Sequence, residues 1–240
     1  MNARQLVIMP AYNESANISR VLAELRAHFP DMTCVVIDDG SSDDTAERAR
    51  QAGAEVIRLP CNIGYGGAVQ TGFRYAVRHG YDLAVLMDAD GQHDPKSIPA
   101  LLAPLLAGEA DVVIGSRFLG THTYPVDPAR RLTMWFFAGV VQLLTGQRIT
   151  DPTSGFQALS REALRFFAYD NYPSDFPDAD ALLALLYAGF RVVEVPVTMH
   201  GRLSGDSMHN AWRGIYYILR MSLALFILLL RRKTFIRARE

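Results

Sequence analysis

Short apolar runs alternate with segments of helical periodicity through the first half of the chain. Short apolar runs bounded by turn residues are typical of buried strands, whereas apolar residues at every third or fourth position indicate helices. Strands that alternate with helices predict an α/β fold, with a mostly parallel sheet and helices on both faces. The pattern predicts strands at Gln5–Ala11, Thr33–Ile37, Ala54–Leu59, Leu83–Met87 and Asp111–Phe118. It predicts helices at Ser15–Phe29 and Pro95–Leu106, and a further helix that follows the glycine-rich stretch 62–68 and ends at about His79.

Longer apolar segments appear in the second half of the chain. Leu132–Leu144 is apolar nearly all round, which predicts a helix that is either buried or in lipid. After it, the pattern predicts a short strand, a helix from about Arg161, a helix at Asp178–Ala188 and a strand at Arg191–Met199.

The C-terminal segment Ile215–Leu230 is almost continuously apolar, but it contains Arg220 and is followed by basic residues at 231–233. A membrane span needs about 20 apolar residues, so this run is marginal for spanning. Its basic flank and tyrosines favour an amphipathic helix in the membrane interface, with a short span or a buried helix as alternatives. We therefore expect one domain at 1–209 and a membrane-associated helix at 210–240.

Composition and charge narrow the range of functions. The 240 residues are 50% hydrophobic and 20% charged, as in an ordinary globular protein. A net charge of −1 gives no general field for nucleic acid, so duplex binding is not expected and placed arginines must recognise any phosphate. The first residues lead into a strand without a signal core, which predicts the cytoplasmic face of a membrane. Cys34 and Cys61 lack the spacing of a metal site.

The apolar run at 83–87 ends abruptly in a cluster of acids. Asp88 and Asp90 follow it directly, with Gln92 two residues further on. Open parallel sheets bind ligands beyond the carboxyl ends of their strands, and hard cations prefer oxygen ligands that they share with substrate phosphates. This spacing therefore predicts a site for Mg²⁺ or Mn²⁺, whereas Asp94 before Pro95 is typical of a helix cap.

Polar residues also follow the second and third predicted strands. Asp38 and Asp39 precede a glycine turn, where a carboxylate can accept a hydrogen bond from a base or a ribose. The stretch 62–68 is rich in glycine and opens a helix, which allows close approach of an anion or simply a tight turn. The first strand lacks the glycine-rich turn of a dinucleotide-binding unit, which argues against a dehydrogenase.

Six short motifs follow one another along nearly the whole chain. They are Pro10-Ala11-Tyr12-Asn13-Glu14, Asp38-Asp39-Gly40-Ser41-Ser42-Asp43, Asn62-Ile63-Gly64-Tyr65-Gly66-Gly67-Ala68, Asp88-Ala89-Asp90-Gly91-Gln92, Gly115-Ser116-Arg117 and Thr153-Ser154-Gly155-Phe156. Together these motifs resemble the ordered motifs of family-two inverting glycosyltransferases, with a Rossmann-like A-type fold. Within that family the chain is most similar to synthases of dolichyl-phosphate or polyprenyl-phosphate sugars, such as mannose or glucose.

The resemblance implies a nucleotide-sugar donor, a lipid-phosphate acceptor, Mg²⁺ or Mn²⁺, and action at a membrane surface. It places Asp88, Asp90 and Gln92 at the metal and diphosphate, and Arg117 near the phosphates. Arg202 and Ser207 match a phosphate-binding loop, and Arg131 is a candidate for the lipid phosphate. The remaining donor-site positions that it implies are Pro10, Tyr12, Glu14, Ile37, Asp39, Gly67 and Ala89.

The acceptor decides whether a base is needed. A lipid phosphate is already an anion, whereas a glycan or lipid hydroxyl must lose a proton to a carboxylate. Asp178 and Asp180 lie where hydroxyl-using relatives place a catalytic acid, although acids are also common in the first turn of a helix. The chain lacks the Gln-x-x-Arg-Trp motif of hydroxyl-using polymer synthases, which favours a phosphate acceptor. Nucleotidyl transfer would need a triphosphate loop that the first strand lacks, and a membrane scaffold would not need Asp88 and Asp90.

Overall fold

The computed structural model describes residues 3–119, 128–169, 172–173 and 179–201, and the single positions 223, 227 and 230. These residues form an α/β domain in which strands and helices alternate up to β5. The strands are β1 Gln5–Ala11, β2 Thr33–Asp38, β3 Glu55–Arg58, β4 Leu83–Leu86, β5 Val112–Ser116, β6 Gln157–Ser160 and β7 Val192–Pro196. The helices are α1 Ile18–His28, α2 Thr45–Gln51, α3 Tyr65–Arg78, α4 Ile98–Leu106, α5 Pro128–Thr145, α6 Arg161–Ala168 and α7 Ala179–Tyr187.

One sheet joins the strands in the order β3-β2-β1-β4-β6-β5-β7. The pairs β1 with β2, β1 with β4, β2 with β3, and β5 with β7 are parallel, which confirms the mostly parallel sheet. The strand β6 is antiparallel to both of its neighbours and separates β4 from β5. The sheet is therefore mixed. Its strand order reverses between β1 and β4, because β2 and β3 lie on one side of β1 and all later strands lie on the other.

Helices cover both faces of the sheet, as the alternation of strands and helices predicted. Along β1, Leu6 and Ile8 belong to one core cluster, while Val7 and Met9 belong to another, because successive strand residues point to opposite faces. The first cluster includes residues of α3, α5, α6 and α7, and the second includes residues of α1, α2 and α4. Each face of β1 is therefore fully buried.

The helix α3 packs very closely on β1. A Cβ atom at Gly72 would lie 2.2 Å from Cγ2 of Ile8, so a side chain there would push the helix away from the strand. Close approach of this helix holds its first turn at the carboxyl end of the neighbouring strands, where the acids of the sequence are found.

The predicted apolar helix at 132–144 is confirmed as α5, which begins at Pro128. Phe137 and Val141 are buried in the core, whereas Trp135, Phe136 and Leu143 are exposed on its surface. The helix is therefore buried on one side and leaves large apolar side chains uncovered on the other. Within the described part of the chain, no helix is long and apolar enough to cross a membrane.

The C-terminal segment lies mostly outside the described residues, so the predicted boundary at 209 and the interfacial helix stay predictions. Leu223, Ile227 and Leu230 are described, and all are helical and exposed. Both cysteines are free, with Cys34 buried and Cys61 exposed.

Candidate active site

The predicted motifs meet at one edge of the sheet. In the parallel ladder Ala11 lies beside Asp38, and Ile8 lies beside Leu86, so β1, β2 and β4 end next to one another. The residues that follow these strand ends include Tyr12, Asp39 and Asp88. Ligands of open α/β sheets bind at such an edge, where the strand order reverses, and β1 is where this sheet reverses.

The two acids of the predicted metal site lie on the turn after β4 and are partly exposed. The hydroxyl group of Tyr65 donates to Oδ1 of Asp88 over 3.0 Å. Oδ1 of Asp90 accepts from the backbone N–H of Gln92 over 3.0 Å. The turn is therefore folded back on itself, and both carboxylates remain accessible from solvent.

The buried ring of His93 contacts this turn from the interior of the domain, although the sequence pattern did not single it out. Its ring is 5% exposed and stacks on Phe156 with 4.6 Å between ring centroids. Nδ1 accepts from the backbone N–H of Asp88 over 3.0 Å, so the neutral ring carries its proton on Nε2, which lies 3.7 Å from Oδ2 of Asp88. Burial lowers the pKa of His93 to about 4, against an opposing effect of Asp90, so the ring is neutral at neutral pH.

Asp39, which follows β2, binds the glycine-rich loop that precedes α3. Its carboxylate is 3% exposed and accepts from the backbone N–H groups of Ile63 and Gly64, over 2.8 and 3.0 Å. Burial raises the pKa of Asp39, while these two hydrogen bonds oppose the rise. The amides of the loop that could approach an anion therefore bind a carboxylate of the protein itself, and a contact of Asp39 with a nucleoside stays a prediction.

The loop after β1 is bound to the loop after β2. The N–H of Asn13 donates to Oγ of Ser41 over 2.9 Å, and the N–H of Glu14 donates to Oγ1 of Thr45 over 2.8 Å. Glu14 also accepts from Nδ2 of Asn17 over 2.8 Å. Tyr12 is 49% exposed beside this junction, which leaves its ring available to a flat ligand.

Several predicted donor-site residues are buried in the domain. Ile37 and Ala89 belong to the core clusters, and Pro10 is buried in β1. At Gly67 an added Cβ would lie 2.7 Å from Cδ1 of Ile63, so this glycine allows the loop to close on α3. These positions shape the edge, and their contact with a donor stays a prediction.

Arg117 forms a buried ion pair at the end of β5. Its Nε and Nη2 donate to the two carboxylate oxygens of Asp151, each over 2.7 Å, and Nη2 also donates to Oγ1 of Thr153. The Asp151 side chain is fully buried and that of Arg117 is 6% exposed. The predicted role of Arg117 near a phosphate therefore has to coexist with this pair, for which the sequence pattern gave no signal.

Glu194 on β7 holds the segment that carries Asp151. It accepts from the backbone N–H groups of Thr150 and Asp151, over 2.7 and 2.8 Å, and from Oγ1 of Thr150. Burial raises the pKa of Glu194, and these hydrogen bonds oppose the rise. No sequence signal pointed to Glu194, because its partners lie more than 40 residues away along the chain.

Other predicted residues fall wholly or partly beyond the part of the chain that the structure describes. Asp178, Arg202 and Ser207 lie outside the described residues, and Arg131 lies in α5 without a described side chain. Asp180 is in the first turn of α7 and is 5% exposed, with Oδ1 accepting from the N–H of Ala181. Its role as a base stays a prediction.

Asp88 and Asp90 have the oxygen chemistry that suits a hard divalent cation. No group of three or more His, Cys, Asp or Glu side chains that could hold a metal ion occurs among the described residues. Mg²⁺ is commonly held by one or two carboxylates together with substrate phosphates and waters, so two accessible acids fit it. Gln92 is adjacent to them through the turn.

Solved structures with the same fold include glucosyl-3-phosphoglycerate synthase from Mycobacterium tuberculosis. The structure in complex with Mn²⁺ and UDP-glucose matches with a TM-score of 0.67 and 24% identity, over 96% of this chain and 79% of that one. The structure with Mg²⁺ and UDP matches with a TM-score of 0.62 and 25% identity, over 96% of this chain and 79% of that one. The likeness supports the predicted A-type glycosyltransferase fold.

Two curated relatives match most of the chain. Undecaprenyl-phosphate mannosyltransferase of Micrococcus luteus is 34% identical over 212 residues, which cover 85% of this chain and 86% of the relative. Polyprenol monophosphomannose synthase of Mycolicibacterium smegmatis is 36% identical over 214 residues, which cover 85% of this chain and 80% of the relative. The sequence profile of glycosyl transferase family 2 matches residues 6–167. Because this match spans more than half of the chain and includes the acidic edge of the sheet, the protein belongs to glycosyltransferase family 2 and is a glycosyltransferase.

Proposed function

We propose that this glycosyltransferase moves a hexose from a nucleoside diphosphate sugar to a polyprenyl phosphate at a membrane surface, with inversion at the anomeric carbon. The observation that carries the proposal is the acidic pair Asp88 and Asp90 at the reversal of the sheet, in a chain similar over 85% of its length to polyprenyl-phosphate mannosyltransferases. The pair supplies the site for a diphosphate and its cation, and the relatives support the acceptor.

The donor would lie across the ends of β1, β2 and β4. The exposed ring of Tyr12 offers a face for the base, and Asp39 lies beneath the glycine-rich loop. Asp88 and Asp90 would hold Mg²⁺ or Mn²⁺ together with the diphosphate, as hard oxygen ligands do. When bound, the cation neutralises charge on the departing diphosphate, a contribution of several kcal/mol to the transition state.

The acceptor phosphate would approach from the side of the segment after β7. The N–H of His200 donates to the carbonyl of Gln92 over 2.8 Å, and the N–H of Asp94 donates to the carbonyl of Thr198 over 3.4 Å. This segment therefore lies directly on the acidic turn, and Arg202 is two residues beyond His200. We assign the phosphate to Arg202 from its place in the sequence, because a planar guanidinium can recognise a phosphate with two hydrogen bonds.

Exposed apolar side chains of the protein would contact the lipid chain of the acceptor. Trp135, Phe136 and Leu143 expose large side chains on α5, and Leu223, Ile227 and Leu230 are exposed at a spacing that repeats on one face of a helix. Exposed aromatic and aliphatic side chains of this kind suit the interface of a membrane. The proposed location is accordingly the surface of a membrane.

A phosphate acceptor is already ionised and needs no general base, whereas a hydroxyl acceptor needs one. The buried Asp180 at the start of α7 is the observation that favours the second possibility, transfer to a glycan or lipid hydroxyl. The two possibilities differ in the response to Asp180→Asn. Activity on a lipid phosphate should be kept within a few-fold, whereas activity on a hydroxyl should be lost.

The test is sugar transfer by the purified protein from UDP-glucose, UDP-galactose, UDP-N-acetylglucosamine and GDP-mannose, with Mg²⁺ or Mn²⁺, with and without a polyprenyl phosphate in detergent. We expect one donor to give a labelled lipid product that requires both the cation and the lipid. Slow hydrolysis of every donor that the lipid does not change would contradict the proposal and favour a hydroxyl acceptor.

Membrane association is measured separately by flotation with liposomes that contain anionic lipid. We expect the full chain to float with the liposomes, and a chain that ends at Arg213 to float less. Equal flotation of the two proteins would contradict the interfacial helix, without bearing on the transfer reaction.

A further inference from the structure

Side chains and backbone from three separate segments lie against the partly exposed carboxylate of Asp88. Tyr65 is the first residue of α3, His93 belongs to the turn after β4, and Gly155 lies in the segment before β6. Tyr65 and Gly155 are 23 and 67 residues away from Asp88 along the chain, yet both lie against its carboxylate. The surroundings of Asp88 are therefore a product of the tertiary fold.

Tyr65 approaches Asp88 from the glycine-rich loop. Gly64 has φ of 90°, a conformation that glycine adopts without strain, and its N–H donates to Oδ2 of Asp39 over 3.0 Å. This bond anchors the residue before Tyr65, so the start of α3 is fixed relative to β2. The phenol then reaches across to donate to Oδ1 of Asp88 over 3.0 Å.

His93 approaches Asp88 from the core. Its Nδ1 accepts from the N–H of Asp88 over 3.0 Å, and its Nε2 lies 3.7 Å from Oδ2 of the same residue. The ring is nearly parallel to that of Phe156, with 6° between the planes, so packing fixes its rotation. His93 therefore fixes the backbone of Asp88 and faces Oδ2, while the tyrosine donates to Oδ1.

Gly155 makes room for this arrangement. An added Cβ at Gly155 would lie 3.0 Å from the hydroxyl oxygen of Tyr65 and 3.3 Å from Oδ2 of Asp88. Both atoms belong to the same pair, so a methyl group would press on the tyrosine and on the carboxylate at once. The backbone at Gly155 closes the side of the pair that faces β6.

We propose that Tyr65 and His93 are positioning residues that hold the carboxylate of Asp88 in the orientation in which it binds the divalent cation, and that Gly155 is required for this arrangement. The inference rests on the proposed function, because it takes Asp88 as a metal ligand. A ligand that is already oriented loses less conformational freedom when the cation binds, and loss of such supporting hydrogen bonds typically weakens metal affinity about 10- to 100-fold.

The chain contains a matched control for Tyr65. Tyr75 lies on the same helix, and its hydroxyl also donates to a carboxylate, that of Glu55 on β3. Both Tyr65→Phe and Tyr75→Phe remove one tyrosine hydroxyl and one such bond, but only the first touches the acidic turn. A general effect of losing a tyrosine hydroxyl would appear in both variants.

The experiment measures Mn²⁺ binding without turnover. Free Mn²⁺ is counted by its electron paramagnetic resonance signal as the protein is titrated, in the presence of UDP and, in parallel, of GDP. We expect Tyr65→Phe to raise the Kd for Mn²⁺ about 10- to 100-fold. Gly155→Ala should raise it as well, because its methyl group presses on the hydroxyl group of Tyr65 and on Asp88. Tyr75→Phe should keep the wild-type Kd, and Asp90→Asn should lose binding.

His93 is tested with two variants, because loss of a buried ring can affect folding. In His93→Asn the side-chain oxygen can still accept from the N–H of Asp88, whereas in His93→Leu it cannot. We expect the asparagine variant to bind Mn²⁺ more tightly than the leucine variant and less tightly than wild type. Urea unfolding of each variant shows whether the order of the Mn²⁺ affinities merely follows the order of the free energies of unfolding.

The outcomes separate the inference from the proposed function. If wild type and Asp90→Asn bind Mn²⁺ equally, or neither binds it, the metal site itself is wrong and the positioning role falls with it. If Asp90→Asn loses binding while Tyr65→Phe matches Tyr75→Phe, the metal site stands and the positioning role is wrong. If Tyr65→Phe binds Mn²⁺ more weakly than wild type and Tyr75→Phe does not, the positioning role is supported.

Discussion

The two halves of the sheet hold their acidic residues in different ways. In the parallel half, formed by β3, β2, β1 and β4, the turn after β4 carries two partly exposed acids, with Asp88 accepting from the hydroxyl group of Tyr65 and Asp90 from the N–H of Gln92. In the mixed half, formed by β6, β5 and β7, Asp151 binds Arg117 inside the protein and Glu194 binds the segment that carries Asp151.

The acidic turn after β4 and the Arg117–Asp151 pair differ in their exposure to solvent. The side chain of Asp88 is 30% exposed, and that of Asp151 is not exposed at all. An accessible acid can meet a ligand, whereas a buried ion pair stabilises the fold only while both partners are present. We therefore expect changes to the acidic turn at Asp88 and Asp90 to lower activity, and changes to the Arg117–Asp151 pair to lower stability.

The largest expected effect is on transfer activity in the parallel half. Asp90→Ala and Asp88→Asn should each lower kcat about 1,000-fold or more, because several kcal/mol of charge stabilisation are lost and each 1.4 kcal/mol is about tenfold in rate. Steady-state assays with the preferred donor measure this effect, and urea unfolding should show that the variants still fold cooperatively.

The control for these variants is Asp82, which lies just before β4, whereas Asp88 lies just after it. Asp82 pairs with Arg161 over 2.8 Å and accepts from the N–H of Arg4. Asp82→Asn should keep transfer within a few-fold of wild type. Near-normal turnover in Asp90→Ala, or equal losses in the Asp82 and Asp90 variants, would contradict the assignment of the acidic turn.

The next effect is on stability in the mixed half, which contains two arginines that each bind an aspartate through Nε and Nη2. Arg117 pairs with Asp151 in the interior, and Arg191 pairs with Asp111 at the surface, where the arginine side chain is 55% exposed. Arg117→Ala should lower the free energy of unfolding by about 3–5 kcal/mol, because it leaves a buried charge unpaired. Arg191→Ala should lower it much less, because solvent screens this exposed pair.

Urea unfolding of the two arginine variants measures this difference directly. Similar losses in both would mean that burial does not distinguish the pairs. A loss of activity in Arg117→Ala without a loss of stability would instead indicate that Arg117 acts on a phosphate and contributes little to the fold.

The smallest expected effect is a pH dependence of opposite sign in the two halves. Hydrogen bonds from Thr45 and Ser15 outweigh the opposing effect of burial and lower the pKa of Asp43, whereas burial raises the pKa of Glu194. A carboxyl with a lowered pKa adds stability above its unfolded-state pKa of about 3.9, and this stability is lost as the pH falls through the folded-state pKa. A carboxyl with a raised pKa loses stability as the pH rises from about 4.3 to the folded-state pKa.

The measurement is the free energy of unfolding of wild type, Asp43→Asn and Glu194→Gln between about pH 3 and pH 7. The advantage of wild type over Asp43→Asn should grow as the pH rises, and its advantage over Glu194→Gln should shrink. The same slope in both comparisons would mean that hydrogen bonding at Asp43 and burial at Glu194 do not act in opposite directions.

Local sequence determined much of the parallel half. The apolar runs predicted β1, β2 and β4, and the acids that follow these runs had to meet at one edge because parallel strands end on the same side. The cap at Asp94 was also readable, since Asp before Pro is a common start of a helix, and its side chain accepts from the N–H of Lys96. For the strands themselves and for the cap, the physical cause lies within a few residues.

Only the tertiary structure decided what surrounds those acids. The insertion of β6 between β4 and β5, the pairing of Arg117 with Asp151 and the stack of His93 on Phe156 join residues that are 34 or more positions apart. Hydrophobic periodicity reports which face of an element is buried, but it does not say which distant side chain fills the space opposite. The sequence by itself therefore determined the strands and the acidic edge, whereas the packing of distant segments decided which acids face solvent and which are enclosed.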